Sequence, residues 1–176
     1  TTSPGAAALQ WLNAQQTKDK KHPFLFTQSQ AILCRTWIPT QDGPGTRFTF
    51  DAIVQVPVGM MALMSAENPQ QTATDGIYHF KMEQPIPSYL MSLAVGDLGF
   101  QSVGTETGVY AEKSFVAACA EELSDMQTML EKAEQLYGKY QWGRYDVIVL
   151  PPSFPFGGME NPRITFATPT IIAGDK

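Results

Sequence analysis

The sequence predicts a β-rich module followed by the opening of an α/β module. From about residue 31 to 103, runs with β character are broken by Pro, Gly and Asn clusters. After Gly104 a helical period replaces them, and a short apolar run halted by Pro151 and Pro152 follows. Hydrophobic residues make up 43% of the chain, enough for a core, which excludes a disordered polymer.

The clearest strand is the first long one. Phe48, Phe50, Ala52, Val54 and Val56 alternate with Arg47, Thr49, Asp51, Ile53 and Gln55, a period of two that marks a half-buried strand ending at Pro57. Ile77 to Met82 alternates again, with Tyr78, Phe80 and Met82 on one face. Tyr89 to Val95, after Pro85 and Pro87, is continuously apolar and reads as a more fully buried strand. Short strands at this spacing favour a sandwich or barrel. Beyond Gly104, Leu123, Met126, Met129, Leu130, Ala133 and Leu136 recur at steps of three and four, predicting an amphipathic helix stopped at Gly138. Tyr145 to Leu150 is a short buried strand, Ser153 to Pro162 a loop, and Ile164 to Thr168 a further strand. The boundary expected near Gly104 divides residues 1–103 from 104–176.

Charge narrows the partners. Lys and Arg total 12 against 17 Asp and Glu, a net charge of −5. That balance offers no footprint for a phosphate backbone, so nucleic acid is not an expected partner. The basic run Lys18 to Lys21 reads as a solvated loop. Only 16% of residues are charged, against about 25% in a typical soluble domain, so part of the surface is expected to be covered by protein outside this stretch. No run reaches the ~18 apolar residues of a membrane span, so no membrane partner is expected. Thr1 to Gly5 lack a signal peptide's features, and the absence of an initial Met and the end at Gly174-Asp175-Lys176 read as an internal portion of a longer protein.

The titratable inventory is thin. Cys34 and Cys119, the only cysteines, give neither a disulfide framework nor a metal spacing and read as small core hydrophobes. His22 and His79 read as structural, and without an H-x-x-x-H spacing no metal site is expected within these residues. No serine stands in a nucleophile elbow, and Gly157-Gly158 lacks the lysine and hydroxyl of a phosphate loop.

One segment carries chemistry: Pro151-Pro152-Ser153-Phe154-Pro155-Phe156-Gly157-Gly158-Met159-Glu160-Asn161-Pro162. Its G-G-M-E-N core resembles the exopeptidase signature of the aminopeptidase-N-like (gluzincin) zinc metallopeptidases. Flanking segments resemble the leukotriene hydrolase/aminopeptidase branch of that family. These are Leu9 to Leu12, Thr27 to Ala31, Pro87 to Leu90, Trp142 to Asp146 and Thr168 to Lys176. The resemblance implies that residues 1–103 are the latter part of an N-terminal β-sandwich-like domain. Residues 104–176 would then begin a thermolysin-like catalytic domain. It also implies a cytoplasmic zinc aminopeptidase acting on peptides with a free N-terminus. The zinc ligands, in an H-E-x-x-H helix, are expected downstream of Lys176, which leaves this stretch inactive on its own.

The same resemblance assigns substrate-binding roles to Gln28, Ser29, Gln30 and Ala31 and to Pro155, Phe156, Gly157, Gly158, Met159 and Glu160. Glu160 would meet the substrate's α-ammonium, since a carboxylate accepts from all three donors of an amine. Gly157 and Gly158 either let an extended substrate approach the backbone or serve a tight turn. Glu160, correspondingly, is either that ruler or an exposed loop charge. The Gln30 amide offers both a donor and an acceptor, or is a strand-edge glutamine facing water. Phe156 stands where this branch usually carries tyrosine, which keeps an apolar wall and removes a hydroxyl; Met159 packs the loop. Two other functions stay open: a bifunctional epoxide hydrolase/aminopeptidase of the leukotriene type, and a non-catalytic scaffold relative.

Overall fold

A computed structural model describes residues 2–3 and 5–174; Thr1, Pro4, Asp175 and Lys176 lie outside the described residues, and with them the ends of the Thr1–Gly5 and Thr168–Lys176 segments. Strands β1 (Leu9–Leu12) and β2 (Phe24–Thr27) form an antiparallel hairpin. The long strands β3 (Arg47–Gln55) and β5 (Ile77–Pro87) pair with each other as a two-stranded ribbon, while β4 (Met61–Met64) and β6 (Leu93–Gly96) extend the first sheet in the order β1-β2-β6-β4. Then come β7 (Leu98–Ser102), β8 (Thr107–Glu112), helices α1 (Val116–Glu122) and α2 (Met126–Tyr137), and strands β9 (Tyr145–Val149), β10 (Gly158–Met159) and β11 (Ile164–Ala167). These five strands build a second sheet in the order β10-β11-β9-β8-β7, in which β8, β9 and β11 run parallel. The sheet spans residues 103 and 104, because β7 pairs with β8 from Leu98↔Glu112 to Ser102↔Gly108.

The parallel trio divides the core. Tyr110, Ile148 and Phe166 face the two N-terminal sheets, joining Phe24, Phe26, Met61, Met82 and Ile86 in one large cluster. Val109, Ala111, Val147, Val149 and Ala167 face the other way, against Cys119, Ala120 and Met126 of the helices. Strands covered on both faces read as continuous apolar runs rather than alternation. Tyr145 to Leu150 fits that rule, and β9 lies where the sequence puts it.

Three segments differ from expectation for identifiable reasons. The run from Tyr89 to Val95 opens with a 3-10 turn, Ser88–Leu90, and only its end is β6. Serines break it: the Ser88 hydroxyl donates to Asp42 at 2.5 Å, and Ser92 N–H donates to Ser65 Oγ at 3.0 Å. The helical period beyond Gly104 belongs to two helices, with Leu123 capping the end of α1 and Met126 starting α2. The stop at Gly138 holds, with φ +90, a left-handed value that glycine adopts without steric cost. Finally, the Ser153–Pro162 loop contains the two-residue strand β10.

Both cysteines are fully buried free thiols. Burial, reinforced by the Asp42 carboxylate, pushes Cys34 up to about 12, and burial pushes Cys119 up to about 11. Since the thiolate is the nucleophile, neither should react with iodoacetamide at pH 8 in the native protein, and both should react after guanidinium unfolding. Mass spectrometry of the alkylated protein checks this; native labelling of either thiol would contradict the burial. Gly108 gives a second expectation. A Cβ there would fall on the Phe100 ring and come within 3.0 Å of Asp146 Oδ1. Gly108→Ala should therefore cost about 1–3 kcal/mol of stability, as overpacking does. Gly45→Ala, with nothing within 4 Å, should change it by no more than about 1 kcal/mol in urea unfolding.

Candidate functional site

The G-G-M-E-N segment folds as an edge. Gly158 and Met159 pair antiparallel with Ala167 and Phe166, and β10 is the outermost strand, so its other side is open among the described residues. Met159 is buried in the main core and anchors the strand. Neither Gly157 nor Gly158 has a positive φ, so no tight turn demands glycine here. A Cβ on Gly158 would come within 3.0 Å of Phe166 O, whereas one on Gly157 would meet nothing within 4 Å. Gly158 is thus explained by the close approach of β11, and Gly157 fronts open space. Glu160 follows directly, exposed, and its carboxylate forms no ion pair or hydrogen bond among the described residues.

Aromatic rings hold this edge in place. Phe154 is buried and stands edge-on to Phe26 of β2 at 5.3 Å and to Phe166 of β11 at 6.1 Å. Pro155 is exposed, and Phe156 packs edge-on against Phe154 at 6.1 Å with about half of its surface open (51%). Phe154 therefore couples β2 to the edge strand, a role its unremarkable place among prolines and serines does not advertise.

The second segment continues directly from β2, and its four residues divide into pairs. Gln28 and Ser29 are buried. Gln28 N–H donates to Ala8 O at 2.9 Å, its Oε1 accepts from Gln30 N–H at 3.0 Å, and Ser29 Oγ accepts from Trp37 Nε1 at 3.2 Å. Gln28 Nε2 is buried without a hydrogen-bond partner among the described residues. Gln30 and Ala31, joined by a cis peptide, are exposed. The inner pair shapes the turn and the outer pair presents it. No side-chain hydrogen bond joins this segment to Gly157–Glu160 among the described residues; Phe26 and Phe154, just before each, meet edge-on within the shared core.

The Trp142 to Asp146 segment supports the far end of the sheet. Arg144 makes a two-pronged pair with Asp146, at 3.0 and 3.2 Å, and donates to Thr105 O at 3.0 Å. Burial pushes the Asp146 carboxyl up, opposed by that guanidinium. Two buried carboxylates escaped the sequence reading, Asp42 and Glu112. Glu112 closes β8 and accepts backbone N–H groups from the β1–β2 loop. In the sequence it is no more than an acid ending the uncharged run Thr107–Ala111.

A zinc ion, implied by the sequence resemblance, does not fit the residues present. No group of three or more His, Cys, Asp or Glu side chains among the described residues is arranged to hold a metal. His22 lies 3.9 Å from Asp97 on the surface, and His79 sits on the ribbon opposite Ile53. Among the described residues no helix is long and apolar enough to cross a membrane.

Residues 6–90 match the Peptidase M1 N-terminal domain, and residues 121–176 match the Peptidase family M1 domain. Over 99% of its length the chain is 49% identical to leukotriene A-4 hydrolase of Xenopus laevis, and over 94% it is 47% identical to aminopeptidase B of Rattus norvegicus. It spans 30% and 26% of those two relatives. Among solved structures, yeast LTA4 hydrolase in complex with bestatin superposes with a TM-score of 0.91 at 38% identity, covering 99% of this chain and 27% of that one. The same fold, found at these identities on both sides of Gly104, makes the chain a member of peptidase family M1.

Proposed function

We propose that this chain forms the amine-recognition part of a zinc-dependent metalloaminopeptidase that removes N-terminal residues from peptides. The observation that carries it is the open edge strand Gly158–Met159 with an unpaired, exposed Glu160 carboxylate at its end. The 47% identity to aminopeptidase B supports the same reading. Residues 1–103 are proposed as the latter part of the N-terminal domain and 104–176 as the start of the catalytic domain, with zinc ligands downstream of Lys176. The substrate is a peptide with a free N-terminus, and the compartment is the cytoplasm.

Within this stretch the residues bind and orient. Glu160 meets the α-ammonium, and Gln30 supplies a donor and an acceptor from the opposite segment. Gly157 lets the substrate backbone come close, and the free side of β10 offers main-chain hydrogen bonds to an extended peptide. The exposed half of Phe156 provides an apolar wall for the first side chain. A second reading, epoxide hydrolysis beside peptide cleavage, draws on the 49% identity to leukotriene A-4 hydrolase.

Glu160→Ala in the full-length protein tests the primary reading. Truncating one partner of a desolvated charge pair costs ~2–5 kcal/mol, so kcat/KM for unblocked peptides should fall about thirty- to several-thousand-fold. Glu160→Gln should recover little, since it keeps shape without charge. N-acetylated peptides should be poor substrates of the parent and lose far less on mutation. Equal losses for free and acetylated peptides would make Glu160 structural. Phe156→Tyr adds a hydroxyl without touching the carboxylate, and should leave kcat/KM for short unblocked peptides within about tenfold. A change of about a thousandfold would place the ring at the reacting centre.

A further inference from the structure

The loop between β1 and β2 is fastened to the end of β8 by a carboxylate with little access to water. Glu112 is only 6% exposed, and its two oxygens each accept one backbone N–H, from Lys18 and from Asp19, both at 2.8 Å. A carboxylate withdrawn from water is strongly disfavoured unless donors replace its hydration, and one backbone donor per oxygen does so. The surrounding contacts repeat the tie. Ser114 hydrogen-bonds Asp19, the Lys18 ammonium stands 4.0 Å above the Phe115 ring, and His22 lies 3.9 Å from Asp97.

What Glu112 joins gives the tie its meaning. On one side the loop runs straight into β2, and β2 into Gln28–Ala31. On the other, β8 is hydrogen-bonded to β9, β9 to β11, and β11 to β10, which leads to Glu160. The Phe26–Phe154 contact and the shared apolar core also join the two sides, but their attraction is not directional. Two charge-assisted hydrogen bonds to consecutive amides are directional and set one register.

We propose that Glu112 is a positioning residue, fixing where the Gln28–Ala31 segment stands relative to the Gly157–Glu160 strand and hence how both grip the substrate. This rests on the reading of those segments as one amine site. Glu112 itself, held in the seam, touches no substrate.

The test is a double-mutant cycle in the full-length protein, with native-state hydrogen exchange beside it. Glu112→Ala should lower kcat/KM for an unblocked peptide by roughly tenfold, chiefly through KM, and by less than about twofold when Gln30 is already alanine. Glu112→Gln, which keeps one acceptor oxygen, should restore part of the loss, and it replaces the alanine variant in the cycle if that one fails to fold. In exchange, the amides of Lys18 and Asp19 should lose protection together with those of Gln28, Gln30 and Leu33, while the β3–β5 ribbon keeps its own. Equal losses with and without Gln30 overturn the proposal, as does exposure of Lys18 and Asp19 that leaves Gln28 to Leu33 protected. If Gln30→Ala leaves kcat/KM unchanged, the amine-site reading fails at Gln30, and the exchange pattern alone decides whether Glu112 positions that segment.

Discussion

Burial of both faces of the parallel strands β8, β9 and β11 is the constraint on which the rest of the molecule depends. Every residue of β8 is buried, so its peptide groups have no water to turn to and must be satisfied by ladders on both sides. β7 and β9 supply those ladders. Side chains must also fit two different neighbours on alternate residues. Tyr110 reaches into the large N-terminal cluster, while Val109 and Ala111 lie against the helices. Where Phe100 lies over the sheet, β8 carries Gly108. The N-terminal sheets are therefore covered by the second sheet, and each side needs the other to complete its core.

The buried carboxylates lie toward the ends of β8 and β9 or, for Asp42, in the loop before β3. Asp146 stands near the start of β9 with Arg144, Glu112 at the end of β8 with two amides, and Asp42 beneath Ser88 and Arg35. Each is buried, and each has its hydration replaced by donors in fixed directions. Replacing buried ion pairs by apolar groups often costs no stability, so such pairs are weak stabilisers. Their directionality is what apolar packing lacks. At a seam between a hairpin loop and a sheet, it selects one arrangement among several that the rings and aliphatic side chains would tolerate.

How much of this was legible in the sequence follows from the physics of each element. Strand β3 announced itself because one of its faces is buried and the other wet, which writes a period of two into residues 47–55. The β9 run and the Gly138 stop were legible for similarly local reasons. Helix α1 was not, since Ala117, Ala118, Cys119 and Ala120 are too alike to show an amphipathic period. β1, β2 and β10 are four residues or fewer, and only their partners define them. At the site, G-G-M-E-N and Q-x-Q-A stood out by resemblance. Residue types could not disclose that Gln28 and Ser29 turn inward while Gln30 and Ala31 turn out. Glu112 was hidden because its partners are backbone amides of a lysine-rich loop, which carry no side-chain signature.

An open edge strand followed by a single carboxylate answers a problem that neither solves alone. Main-chain hydrogen bonds along an edge repeat every two residues, so an added peptide is aligned in direction but not in register. A charge at one end removes that degeneracy. In the proposed reading, a slip of two residues, the smallest that restores the hydrogen bonds, carries the ammonium ~6.6 Å along the strand, from contact near 3 Å to roughly 9.6 Å. At an effective dielectric of about 20, the attraction then falls from roughly 5.5 to roughly 1.7 kcal/mol, nearly three decades in occupancy. In that reading the discrimination survives only if the carboxylate and Gln30 stay at a fixed separation to well under one residue. Flexible packing between two modules would blur it. Directional fastening of the seam is therefore a physical requirement for measuring a peptide from its end, whatever side chain that peptide carries.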